Sequence, residues 1–183
     1  MGMRILFLYS TVDGHTREIC EHLQRIVLES GHRSSLVELQ AGVRADLRSP
    51  DCIVIGASVR YGRHRPEVAR FVEEHLAVLE SKPAAFFSVN AVARKPDRRT
   101  PESNPYVQKF LASIRWRPDI VRIFGGKIDY SRYGFLDKTM IRLIMWMTHG
   151  PTDPKAVVDF TDWGDVDAFG RELCVAAATR PGA

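Results

Sequence analysis

The chain has 183 residues, 45% of them hydrophobic and 26% charged, the composition of one folded domain and not of a disordered, collagenous or disulfide-built chain. Lysine and arginine number 26 against 22 acidic residues, so the net charge is +4, a mild excess compatible with nucleic acid, an anionic membrane surface or an acidic substrate. Cys20, Cys52 and Cys174 are far apart and form no C-x-x-C, which excludes a zinc ribbon and a disulfide framework, predicts no metal site, and fits a reducing compartment.

The opening segment MGMRILFLYS lacks a long apolar stretch and a small-residue cleavage site, so no signal peptide is expected. No apolar run approaches the roughly 18 residues of a simple membrane span. Residues 3–9 (MRILFLY) are apolar without alternation, as in a strand buried on both faces. A polar segment, Ser10 to Thr16, follows. Ile19, Leu23, Ile26 and Val27 then recur at helical spacing, with Gly31 closing the helix. Residues 34–39 and 52–57 (CIVIGA) read as the second and third strands. A loop over 58–65 leads to Pro66, a favourable first helical residue, and to a helix carrying Val68, Phe71, Val72, Leu76 and Leu79. Residues 84–89 (AAFFSV) and 120–124 complete the strands, 157–160 add a strand segment, and a last helix starts at Trp163.

This alternation predicts an α/β domain: a doubly wound, parallel five-stranded sheet with helices on both faces. One domain is expected over 1–178, followed by a short tail at 179–183. Two segments break the pattern. Residues 90–105 hold three prolines and a basic cluster, and read as an exposed loop. Residues 127–155 form an insert near the fifth strand, with its own helix at about 135–148.

In open parallel sheets ligands bind beyond the carboxyl ends of the strands, which points to residues 10–16, 58–64 and 88–94. The first loop, Ser10-Thr11-Val12-Asp13-Gly14-His15-Thr16, joins a buried strand to a helix start. Its hydroxyls, its amides and the helix N-terminus can converge on an anion. It has neither G-x-G-x-x-G nor G-x-x-x-x-G-K-[ST], and no lysine to neutralise a triphosphate. A monophosphate fits it; so does an ordinary capping turn. Gly56-Ala57-Ser58 is not a serine nucleophile elbow, because position 60 is Arg and not Gly.

The hydroxyl-rich first loop resembles the FMN phosphate loop of the flavodoxin superfamily. Further tracts sharpen the likeness: IGASVRYG (55–62), SVNAVARKP (88–96) continuing to Arg99-Thr100-Pro101, WRPD (116–119), MIRLIM (140–145) and Thr161-Asp162-Trp163. Together, over nearly the whole chain, they resemble the flavodoxin-like, quinone-dependent protoporphyrinogen IX dehydrogenases of bacterial haem synthesis. Val12 departs from the pattern, where a basic or polar residue is expected.

The resemblance implies FMN as cofactor, protoporphyrinogen IX as hydrogen donor and menaquinone or ubiquinone as acceptor. FMN would be bound by Ser10, Thr11, Val12, Asp13, Gly14, His15 and Thr16, with Ser58, Val59, Arg60, Tyr61 and Gly62 on one side of the ring and Ser88, Val89 and Asn90 on the other. Tyr61 is placed to stack on the flavin. No general base is evident, and His64 is expected to be an exposed structural residue. Arg94, Lys95, Arg98 and Arg99 read either as a clamp for the porphyrinogen propionates or as a solvated charge run; no recognition helix or stacking platform accompanies them, which argues against nucleic acid. On the insert helix, Leu136, Met140, Leu143, Ile144 and Met147 share one side and Lys138, Arg142 and His149 the other, with Met145 and Trp146 widening the apolar surface. Such a helix lies in a membrane interface or packs on its own core. Peripheral attachment to the cytoplasmic face of the membrane is the expected location. A flavodoxin-type FMN electron carrier without an organic substrate, disfavoured by the basic charge, and a non-flavin docking module are the competing readings.

Overall fold

The computed structural model describes residues 2–130, 134–147, 150, 152–153 and 157–179. The expected side-chain positions of Leu136, Ile144, Met147 and His149 on the insert helix lie outside the described set, as does the end of the tail beyond residue 179.

Five strands, β1 (Arg4–Ser10), β2 (Arg33–Glu38), β3 (Cys52–Arg60), β5 (Ala84–Asn90) and β6 (Ile120–Gly125), form a parallel sheet in the order β2-β1-β3-β5-β6. Alternate residues of each strand face opposite layers. Ile5, Phe7 and Tyr9, with Val54, Phe87 and Phe124, pack against α1 (His15–Glu29) and α6 (Trp163–Thr179). Leu6 and Leu8, with Ile53, Ile55 and Phe86, pack against α2 (Pro66–Glu74), α3 (Leu76–Glu80) and α4 (Pro105–Ser113). Both faces are covered, which is why β1, β3 and β5 read as unbroken apolar runs. The doubly wound five-stranded sheet is therefore as expected, and the order reverses between β1 and β3, where the first two loops meet.

Three local features differ from the expectation. First, β3 runs on to Arg60 and turns back through Tyr61-Gly62 into β4 (Arg63–His64), a hairpin in place of the loop expected over 58–65. Tyr61 and Gly62 both have positive φ, 50° and 76°, as a two-residue turn of type I′ requires. Second, residues 90–105 are not simply an exposed loop. They wind into two 3₁₀ turns, Ala91–Arg94 and Pro96–Arg98, and bury Ala93 and Asn104. Third, the insert starts with a strand, β7 (Lys127–Asp129), that pairs antiparallel with β8 (Val157–Asp159). Its helix, α5 (Phe135–Met147), springs from this base. The side of α5 turned to the protein carries Ile141 and Met145, one turn apart, packing with Ile128 and Tyr130. Met140, Leu143 and Trp146 remain exposed, so the apolar residues of α5 serve two surfaces.

Candidate active site

A cavity of about 540 Å³ opens at the carboxyl ends of β1, β3 and β5. One wall is built by the strand-end loops, through Thr11, Asp13, His15 and Thr16, then Ser58 to Gly62, then Val89. The opposite wall comes from the insert and its root: Lys127, Ile128, Met140, Ile141 and Met145. Ala91, Val92, Arg94 and Tyr106 close the side.

The floor beneath the first loop is polar and unsatisfied. Ser10 Oγ, Thr16 Oγ1 and Ser58 Oγ are buried without a hydrogen-bond partner among the described residues. Thr16, in the first turn of α1, and Ser58 line the cavity, and Ser10 is buried at the adjoining end of β1, paired with Ala57 of β3. An unmet buried hydroxyl costs about 1–3 kcal/mol. Three at one strand edge mark a place that an acceptor-rich ligand completes. Gly14, at φ 87°, turns the chain into α1, and its N–H donates to Thr11 Oγ1 at 3.0 Å. The next amides have no carbonyl one turn earlier to bond and carry the positive end of the helix dipole. Hydroxyls and amides without a cationic side chain of the P-loop kind suit a phosphate monoester. A flavin mononucleotide offers one.

Loops one and two are locked together. Arg60 donates from Nη1 to both carboxylate oxygens of Asp13, at 3.1 and 2.8 Å. Arg65 donates to the Thr11 carbonyl at 3.3 Å and pairs with Glu67. The Arg60 guanidinium also sits 5.4 Å from the Tyr61 ring centre. Tyr61 is 54% exposed in a left-handed conformation that a non-glycine residue adopts at a cost of about 1–2 kcal/mol. Its ring therefore stands at the cavity edge instead of in the core.

Loop three is held by a buried polar chain. His64 Nε2 meets Ser88 Oγ at 2.9 Å, and Asn90 Nδ2 donates to the same hydroxyl at 3.1 Å. Asn90 Oδ1 accepts from Ala93 N and from Asn104 Nδ2, both at 3.1 Å, and the Asn90 carbonyl accepts from Gly126 N. Asn104 in turn caps α4, accepting from Tyr106 N and Val107 N. His64 is thus buried, 7% exposed, and not the surface residue expected. Phe86 and Phe110 pack its ring, and burial pushes its pKa down to about 4, so it is neutral near pH 7. The β3–β4 hairpin turns it inward.

The expected site residues divide accordingly. Thr11, Asp13, His15, Thr16, Ser58, Val59, Arg60, Tyr61, Gly62 and Val89 border the cavity. Ser88 and Asn90 are buried in the network that holds its wall. Val12 is exposed and borders a separate shallow depression with Arg63 and Pro66. Of the basic cluster, Arg94 reaches the cavity. Arg98 donates to the Ser103 carbonyl, and Arg99 to the Ala93 carbonyl and Asp162. Lys95 is exposed. With these different partners the run is no single patch. Asn104, Tyr106, Lys127 and Ile128 complete the site without having been singled out by the sequence; among their motifs, only the Asn-Pro helix start at Asn104 carried a local signal.

Fold and site together define a flavodoxin-like protein, a class whose cofactor is a flavin. Residues 6–155 match the flavodoxin domain family. The chain is 43% identical over 171 residues to a protein of Escherichia coli K12 named protoporphyrinogen IX dehydrogenase [quinone], covering 93% of this chain and 94% of that one. A Leishmania major protein of the same name is 38% identical over 182 residues, covering 97% of this chain and 79% of that one. The chain therefore belongs to the flavodoxin domain family and, within it, to the group that contains these dehydrogenases. Solved structures agree on the fold. A flavodoxin from the domain Archaea superposes with a TM-score of 0.53 at 14% identity, covering 96% of this chain and 99% of that one. A WrbA-like flavodoxin from Agrobacterium tumefaciens gives 0.54 at 14% identity, covering 98% and 100%.

Proposed function

We propose that this protein binds FMN and oxidises protoporphyrinogen IX to protoporphyrin IX, with a membrane quinone, menaquinone or ubiquinone, as electron acceptor. The observation that carries this reading is the two-sided cavity. Its polar side, with the unpartnered hydroxyls of Thr16 and Ser58 and that of Ser10 buried at the strand end beside them, suits a flavin phosphate, while Ile128, Ile141 and Met145 give it a second, apolar wall. An electron carrier that meets only other proteins needs an exposed flavin edge, and has no use for such a wall. A large tetrapyrrole has.

When bound, the flavin accepts hydrogen from carbon donors in two-electron steps and returns electrons to a quinone. The chain's own residues bind, orient and exclude water. Ser10, Thr16 and Ser58 hold the phosphate with the amides of the first turn of α1. Tyr61 offers its ring to the flavin face. Val89, with the 3₁₀ turn after Asn90, bounds the other side. Arg94, at the cavity rim, pairs a propionate of the substrate. His64, neutral and enclosed, fixes the wall and donates no charge to it.

The reading includes attachment to the cytoplasmic face of the membrane. No helix of the described residues is long and apolar enough to cross a bilayer. Leu143 and Trp146, 54% and 71% exposed one turn apart on α5, supply an apolar surface for lipid contact. We also read residues 1–178 as one domain. The test is to purify the protein, release and identify its flavin, and follow protoporphyrin fluorescence with quinone added and omitted. Quinone-dependent formation of protoporphyrin by an FMN-loaded protein is expected. FMN without turnover rules out the substrate, and failure to bind FMN rules out the site.

A further inference from the structure

Two large apolar side chains both line the cavity and stand in solvent: Tyr61 on the strand-end wall, 54% exposed, and Met140 on the insert wall, 50% exposed. Beside Met140 on that wall, Ile128 and Met145 are buried and Ile141 is half-buried. The cavity therefore opens to the outside over apolar lips, and one lip belongs to α5.

The helix continues that lip outward. Of residues 140–146 only Arg142 is polar. At about 100° per residue, Met145, Ile141, Met140, Leu143 and Trp146 succeed one another round α5, each step being about 100° or less. The stripe starts inside the cavity at Met145 and Ile141, crosses the rim at Met140, and ends on the exposed Leu143 and Trp146. Arg142 falls in the remaining flank, where its Nε donates to the Thr152 carbonyl at 3.0 Å. Packing on the protein accounts for Ile141 and Met145, which meet Ile128 and Tyr130. The lipid contact proposed above accounts for Leu143 and Trp146. Neither accounts for an exposed methionine that joins the two. A contiguous exposed apolar surface marks a place where something apolar lies.

We propose that this stripe is the entry path and tail site of the quinone: the head ring reaches the cavity against Ile141 and Met145, and the isoprenoid tail lies across Met140 and Leu143 towards the membrane. The occupant follows from shape and polarity. The porphyrinogen carries anionic propionates, which an apolar rim leaves unpaired. A quinone is a flat ring joined to a hydrocarbon chain, one part for the cavity and one for the stripe. Because the same wall meets the tetrapyrrole, donor and acceptor use it in turn. The inference rests on the quinone reading above, and adds to it that Met140 and Leu143 set the preference for tailed acceptors. Both are binding residues and take no part in hydrogen transfer.

The test measures kcat/KM of the FMN-loaded full chain, with protoporphyrinogen IX as donor and no lipid or detergent present. The acceptors are a ubiquinone with a short tail of two isoprenoid units and the tail-less ubiquinone ring. Without a bilayer, membrane attachment has no part in the result, and the ratio of the two acceptors cancels any change they share. In the unaltered protein the tailed quinone is expected to be favoured by about tenfold or more, from the tail carbons taken out of water. Met140→Gln is expected to lower that ratio about fourfold, the worth of one buried CH₂, about 0.8 kcal/mol. Leu143→Gln, at a residue with little to lose in folding, should lower it about twofold, and decides the matter if Met140→Gln does not fold. A ratio near one in the unaltered protein, or one that the variants leave unchanged, would overturn the inference while the acceptor reading stands. Turnover with neither quinone removes both. Cross-linking gives an independent readout: the tailed quinone with a photoreactive azide at the end of its chain should label residues 140–146, and labelling confined to other segments would refute the path.

Discussion

Two polar clusters lie at the same edge of the sheet, and they are built in opposite ways. The chain His64–Ser88–Asn90–Asn104 is closed on itself except at the buried His64 Nδ1: every member bonds another, and Asn90 bonds four partners through side chain and carbonyl. The hydroxyls of Ser10, Thr16 and Ser58 bond nothing among the described residues. Buried polar groups are normally satisfied, so the first cluster reads as scaffold and the second as a site that awaits its ligand. The contrast separates what holds the cavity from what the cavity holds.

Removing the hub of the satisfied cluster should have the largest effect. Asn90→Ala strands Ala93 N, takes a donor from Ser88 and takes an acceptor from Asn104, at a cost of about 3 kcal/mol in urea unfolding that added flavin does not specifically repair. The pH dependence of the same cluster comes next. His64 titrates near 4 when folded and near 6.5 when unfolded, so the unfolded chain binds the proton first as pH falls. The contribution is complete above about pH 6.5 and is lost towards pH 4, by up to about 3 kcal/mol. His64→Gln should remove that part of the slope, seen by comparing unfolding at pH 7 and pH 4.5.

The open cluster should respond with the other sign. Ser58→Ala removes a hydroxyl that has no partner, so the apoprotein should unfold at the same or slightly higher urea concentration. FMN affinity should fall by about 1–2 kcal/mol, and riboflavin affinity hardly at all. A destabilised apoprotein would put Ser58 in the scaffold after all. The smallest effect is expected at the hairpin between them. Tyr61→Gly relieves a left-handed residue and should stabilise the apoprotein by up to about 1 kcal/mol, while weakening flavin binding through the lost ring.

The same contrast explains what could be read from the sequence. The strands were legible because a parallel sheet covered on both faces leaves apolar runs such as residues 52–57 and 84–89. The first loop was legible because its hydroxyls and glycine fall between strand and helix. The satisfied cluster was not, because its links are long in sequence: His64 to Ser88 spans 24 residues and His15 to Thr161 spans 146. The inward side of α5 was not legible for a related reason. A helical wheel ranks residues by apolarity, and both Leu143 and Met145 score highly. Packing with Ile128 and Tyr130 decides which of them is buried, and that depends on β7, a three-residue strand without a pattern of its own.

The decisive property is whether a flavin bound in this cavity takes hydrogen from a porphyrinogen. The purified protein, loaded with FMN and kept free of oxygen, should lose its visible flavin band when protoporphyrinogen IX is added, and recover it on addition of quinone as protoporphyrin fluorescence appears. A band that protoporphyrinogen leaves unchanged, but that a flavodoxin reductase bleaches, would contradict the account and make the protein an electron carrier.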